Sequence, residues 1–134
     1  MIIESGDRKR SVNIGAFEFW HSVYSTVSVL LKNEIQKIHH AIEFLRTGKC
    51  GPDSALRTAR EINLIRDMLS QFPPEEAIWD CDKLEKQAPW KENLSPVVTS
   101  CANLYTTSDG ADLLYEIVSI LCYASVVNVD VHIM

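Results

Sequence analysis

The stretch DLLYEIVSILCYASVVNVDVHI, residues 112–133, decides the fold class. Leu113, Leu114, Ile117, Val118, Ile120, Leu121 and Val126 cover nearly the whole circumference of a helix, which places that helix at the centre of a core. The period then changes. Val129, Val131 and Ile133 alternate with Asp130 and His132, the spacing of a strand with one face turned inward. A buried helix running directly into a strand predicts an α+β domain.

Working outward, Leu104 and Tyr105 predict a strand ending near Thr107, with Ser108 or Asp109 capping the last helix and Asp109 and Asp112 in its first turn. At the other end, Ile2-Ile3 and the alternation of Val12 and Ile14 predict two short strands around the basic turn Arg8-Lys9-Arg10, with Gly15 ending the second. Phe17, Trp20, Tyr24, Val27 and Leu31, widened by Phe19, Val23 and Leu30, mark a helix over about Ala16 to Asn33. Ile35, Ile38, Ile42 and Leu45 mark a second helix stopped by Gly48. Pro52 opens a third, which carries Leu56, Ala59, Ile62, Ile65, Leu69 and Phe72 inward and Asp53, Arg57 and Glu61 outward at four-residue spacing. Pro73-Pro74 ends it, so the second and third helices form an antiparallel hairpin. The expected architecture is one domain over residues 1–134, a small mixed sheet of short strands packed with about four helices.

Residues 73–100 hold four of the five prolines and two of the three tryptophans and show no sustained period. A long irregular stretch inside a domain is usually functional or disordered. Trp79, Leu84, Trp90 and Val97-Val98 are apolar anchors, so the segment reads as ordered and packed over the core. Asp82-x-x-Glu85 has the form of a capping box for one helical turn.

Composition narrows function. The chain has 134 residues and a net charge of −5. Residues 1–70 carry ten Lys/Arg against eight Asp/Glu, or +2; residues 71–134 carry three against ten, or −7. The acidic half argues against binding phosphates there and suits a basic protein partner. With no membrane-length apolar run and no secretion-signal order at the N-terminus, a cytoplasmic location is expected. Cys50, Cys81, Cys101 and Cys122 are widely spaced, which favours reduced thiols over a disulfide or metal framework.

No catalytic signature stands out. His39-His40 are adjacent on a helix and point about 100° apart, so they cannot share one ion. His21 or a cysteine could complete such a site, but nothing in the sequence fixes their geometry. No phosphate-binding glycine loop or nucleophile elbow occurs. The expectation is a non-enzyme without cofactor or metal. Asp80, Asp82 and Glu85 read as an acidic rim rather than a catalytic pair. With Trp90 and Glu92 they are the candidate partner-binding residues, because aromatic anchors beside charges are typical of binding hot spots. The tryptophans equally suit a segment stapled to a core.

Several of these residues also carry a resemblance. Trp79-Asp80, Leu84, Lys86-Gln87-Ala88-Pro89-Trp90, Asn93 and Ser95-Pro96 lead into Tyr105-x-Thr107-Ser108-Asp109-Gly110 with Asp112-Leu113. A weaker match runs through Gly15, Phe19-Trp20-His21 and Ser25-Thr26. In these the chain resembles the bacterial immunity protein 70 family of polymorphic and contact-dependent growth inhibition toxin systems. The hairpin from Ile35 to Phe72 follows the family only loosely. The resemblance implies an α+β fold and neutralisation of a cognate toxin C-terminal domain by direct binding; toxins of such systems include nucleases. It supplies no binding site. The competing readings are a small nucleic-acid-binding or transcriptional regulator using Arg8-Lys9-Arg10 and the arginines of the third helix, and a thiol enzyme.

Overall fold

The strong apolar periods become the helices, and the short alternating runs become the sheet. The computed structural model describes residues 1–90 and 93–134. In chain order it contains β1 (Ile2–Ser5), β2 (Ser11–Asn13), α1 (Phe17–Leu30), a 3-10 turn (Lys32–Lys37), α2 (His39–Thr47) and β3 (Lys49–Cys50). These are followed by α3 (Pro52–Leu69), a second 3-10 turn (Pro74–Glu76), α4 (Leu113–Val127) and β4 (Val131–Ile133). The class is α+β, with four α-helices beside a four-stranded sheet in the order β2-β1-β4-β3. The sheet is antiparallel throughout rather than mixed. A tight turn joins β1 to β2 and forces them antiparallel, and β4 returns between β1 and β3 against both. Parallel neighbours would need crossovers of a dozen or more residues running in one direction.

The core forms where α4 lies against α3 and against one face of the sheet. Leu113, Leu114, Ile117 and Leu121 of α4 are fully buried with Ile62, Ile65 and Leu69 of α3 and Ile3 of β1. Val126 does not join them; it is 84% exposed, because the apolar face narrows as the helix leaves the core. The cap of α4 is Asp112, whose side chain accepts from the Tyr115 N–H, rather than Ser108 or Asp109. Asp109 instead accepts from the Thr107 hydroxyl inside the preceding turn. In α3 the buried face is set by Ala55, Thr58, Ala59, Ile62 and Ile65, and Leu56 faces solvent. Small residues on that face let α3 approach its neighbours closely. Glu61 is not simply solvated: it accepts from the Ala41 N–H at the start of α2 and lies against His40, with Arg57 at 3.9 Å.

Gly48 ends α2 in the left-handed region, at φ +72°, as the sequence requires. A Cβ there would come within 1.9 Å of Ile133 Cδ1 on β4, so the same glycine permits the close passage of the sheet edge. The strand expected at Leu104-Tyr105 is absent. Both side chains are buried, but their backbone leads only to a single bridge between Thr106 and Asp112. Residues 77–90 and 93–100 are irregular; Trp79, Trp90 and Val98 are half-buried as expected of anchors, whereas Leu84, 64% exposed, and Val97, 76% exposed, face solvent and anchor nothing. Asp82 and Glu85 start no helical turn, because the chain makes two consecutive reverse turns there, closed by Lys83 N–H to Asp80 O and Lys86 N–H to Lys83 O.

One polar tie joins the β1–β2 turn to α4. The Asp7 carboxylate accepts from the Tyr123 hydroxyl, the Ser5 hydroxyl and the Lys9 N–H. The Tyr123 bond, first among these, holds the Asp7 pKa down at about 2. A depressed carboxylate contributes stability above its ordinary value, and that contribution fades as pH falls through the folded value. Asp7→Asn is therefore expected to lower the melting temperature at pH 6, with the gap to the parent closing between about pH 4 and pH 2. A gap constant across that window in paired melting curves would contradict the assignment.

Candidate functional site

Helix α1 presents an unusual inner face. Alongside Trp20, Val23 and Val27 it buries three hydroxyls, Ser22, Ser25 and Thr26, while Phe17 is left 58% exposed. The hydroxyls are buried because the irregular segment and Tyr105 lie across them. Ser22 Oγ donates to the Ile78 carbonyl at 2.8 Å, and Ile78 N–H donates to Thr26 Oγ1 at 2.9 Å. Thr26 Oγ1 lies 2.7 Å and Ser22 Oγ 2.9 Å from the Tyr105 hydroxyl, which also reaches the Ser22 carbonyl at 3.2 Å. One proton arrangement satisfies every group: Ser22 gives to Ile78 O, Ile78 to Thr26, Thr26 to Tyr105 and Tyr105 back to Ser22. Burial pushes the Tyr105 phenol up to about 12, against the pull of its Ser22 and Thr26 bonds, so it stays a neutral link of this ring. One residue pair further on, Ser25 Oγ accepts from the Cys81 N–H at 3.0 Å.

Aromatic contacts lock the same segment from the other side. Phe19 meets the edge of Trp79 at 5.6 Å and stacks on Trp90 at 6.1 Å. Trp79 and Trp90 meet edge to face at 5.3 Å, and Trp90 meets Tyr105 at 5.9 Å. Such pairs add roughly 0.5–1.5 kcal/mol each beyond their area. Trp90 is thus anchored in a cluster, with its remaining surface lining clefts on both sides of it.

This clamp carries the acidic run. Asp80, Asp82 and Glu85 are brought onto one segment above α1, and their exposure differs. The Asp80 side chain is 20% exposed; one of its oxygens accepts from the Asp82 N–H at 2.9 Å and from His21 Nε2 at 3.2 Å. The Asp82 N–H bond, and then His21, hold the Asp80 carboxyl below the usual range, so it is ionised at neutral pH. Asp82 is 81% exposed and lies 3.7 Å from the same histidine. Glu85 is exposed. Glu92 falls outside the described residues. His21 itself stacks between Phe17 and Tyr24. The sequence signal for this clamp is the Ser22, Ser25, Thr26 spacing, three and four residues apart, which a purely apolar reading of the helix passes over.

Several of the basic groups behind the nucleic-acid reading have partners nearby. Arg10 lies over the Tyr123 ring at 5.0 Å, and Arg66 lies over Tyr115 and within 3.9 Å of Asp112. Arg8 reaches Glu4 at 4.0 Å. Nor does Cys101 offer a ready nucleophile. Burial first, then Glu76 and Glu75, pushes the Cys101 thiol up to about 12, and Cys101 donates to the Pro73 carbonyl. The His39 and His40 rings lie perpendicular, with His40 turned to Glu61.

The profile of the immunity protein 70 family matches residues 7–133 of the chain. The chain belongs to the immunity protein 70 family. No curated protein and no solved structure matches it. Membership makes this an immunity protein of a toxin system. Many of the residues in which its sequence resembles the immunity protein 70 family now have places. Phe19, His21, Ser25, Thr26, Trp79, Asp80, Trp90 and Tyr105 build the clamp, and Thr107, Asp109, Gly110 and Asp112 build the turn and cap that start α4. These are tasks of folding and positioning. Among the described residues no helix is long and apolar enough to cross a membrane.

The clamp gives a direct expectation. Tyr105→Phe removes the buried hydroxyl shared by Ser22 and Thr26, leaving Thr26 only the longer 3.1 Å bond to the Ile78 carbonyl, at a cost of about 1–3 kcal/mol. Denaturant unfolding of the variant measures this; a loss under about 0.5 kcal/mol would mean the ring of hydrogen bonds does not form.

Proposed function

We propose that this protein binds the toxin domain encoded beside it and neutralises it by direct contact. The observation that carries the reading is the family match over residues 7–133. The acidic segment supports a particular mode. Asp82 and Glu85 project from a backbone already fixed by the α1 hydroxyls and the tryptophan cluster, so little ordering is lost on binding. Asp80 is held between His21 and the Asp82 N–H, which keeps the turn in shape. A nuclease toxin would present a basic cleft for phosphates, and clamped carboxylates facing that cleft speed encounter and pair with its Lys and Arg. Trp90, and Glu92 beside it in sequence, extend the proposed contact. Inhibition then comes from occupying the substrate entry, and requires no chemistry from this chain.

Growth rescue tests the reading. Cells producing the toxin domain encoded next to this gene are expected to stop growing, and co-production of this chain to restore growth. Continued arrest beside a soluble, folded immunity protein would refute it. A titration with duplex DNA at low and moderate salt separates the regulator reading: no saturable, salt-dependent binding is expected.

A further inference from the structure

We propose that His21, Asp80, Cys81 and Asp82 form a binding site for a zinc-type divalent transition-metal ion. One ligand atom from each of the four side chains lies within 4.8 Å of every other, a grouping drawn from α1 and from three consecutive residues 59 positions further along. In a tetrahedral site with bonds of about 2.0–2.3 Å, ligand atoms sit roughly 3.3–3.8 Å apart. His21 Nε2 is already 3.2 Å from Asp80 Oδ1 and 3.7 Å from Asp82 Oδ2, so only a contraction of about an ångström completes the shell. The backbone that must not move is pinned: Cys81 N–H is bonded to Ser25, Ile78 to Thr26, and Asp82 N–H to Asp80. The His21 ring is held in plane by Phe17 and Tyr24.

The donor set selects the ion. One imidazole nitrogen, one thiolate and two carboxylates suit zinc or cobalt, whereas calcium and magnesium require oxygen throughout. Binding moves two protons. The Nε2–H now shared with Asp80 gives way to the Nδ1–H tautomer, and the Cys81 thiol proton is released to solvent. The ion offsets the charge of two carboxylates that otherwise face each other across one histidine, and of the thiolate formed as it binds. Because Asp80 and Asp82 also belong to the proposed toxin-facing segment, metal loading sets how much negative charge that segment presents.

The test uses the isolated full chain, without toxin, so its outcome is independent of the functional proposal. Chelator-treated protein is titrated with cobalt(II) as a spectroscopic probe, and zinc affinity is measured by calorimetry. The expected result is one equivalent bound, with a thiolate-to-cobalt charge-transfer band that zinc displaces. Cys81→Ser is expected to abolish the band. Cys81→Ser and Asp82→Asn, both conservative changes at residues outside the core, are each expected to weaken zinc binding roughly tenfold or more, since even losing an outer-shell partner costs about 10–100-fold. Saturation only at millimolar metal, a band that persists in Cys81→Ser, or undiminished zinc affinity in either variant overturns the site.

Discussion

Leu121→Ala is expected to cost about 2–5 kcal/mol of unfolding free energy, the range for emptying a fully buried leucine position. Leu121 has no exposed surface and sits on the helix around which the core is organised, with α3 on one side and the sheet on the other. The cost has two parts: the transfer of the lost methyl groups, and the cavity that rigid neighbours on two layers cannot close. The upper part of the range applies if both layers hold their positions. Val126→Ala on the same helix is the internal control. Val126 is 84% exposed, so its truncation should move stability by less than about 0.5 kcal/mol. Denaturant midpoints for the two variants, read with unchanged slopes, measure the contrast. Equal effects would mean that α4 is turned the other way.

That contrast also shows where the sequence is legible. The period that buries Leu113, Leu114, Ile117 and Leu121 is strong, and the switch to alternation at Val131 and Ile133 marks β4 without help from the structure. Gly48 and Pro52 are placed by local backbone chemistry and stand where expected. The misplacements share a cause: tertiary partners decide what a short pattern leaves open. Apolar period alone turns Phe17 inward, yet the face of α1 is set by hydroxyls whose partners lie more than fifty residues away. Leu56 fits the inward spacing as well as Ala55 does, and close helix packing favours the smaller side chain. Leu104 and Tyr105 are buried like strand residues, but their backbone has no neighbouring strand to pair with. The capping-box spacing of Asp82 and Glu85 is overridden because the Asp82 N–H is taken by Asp80, whose other partner is His21.

The candidate site was legible as chemistry and not as geometry. Charge and aromatics single out residues 79–92, but only the fold distinguishes the exposed Asp82 and Glu85 from Asp80, which is turned onto α1. The role of His21 was likewise out of reach, because its partners are 59 residues away in sequence and adjacent in space.

The second large effect concerns binding. Replacing Asp82 and Glu85 together by lysine is expected to weaken toxin binding by about 2–5 kcal/mol if their ion pairs are buried in the complex, since each reversal leaves a toxin cation facing a like charge. The fold should survive. Asp82 is 81% exposed, Glu85 is exposed, and the contacts that hold the segment run through backbone groups, Asp80 and the tryptophans. A melting temperature close to that of the parent protein is the required companion result. Reversal at a solvated rim would instead appear mainly as slower association at low salt.

The most direct measurement is a calorimetric titration of the adjacent-gene toxin domain with the parent protein and with the Asp82→Lys, Glu85→Lys double variant. The account predicts a saturable one-to-one complex for the parent, and for the folded variant an affinity lower by roughly 30-fold or more, the lower end of the expected 2–5 kcal/mol. Equal affinity for the two proteins would contradict it and would move the toxin-binding face elsewhere, first to α2 and α3.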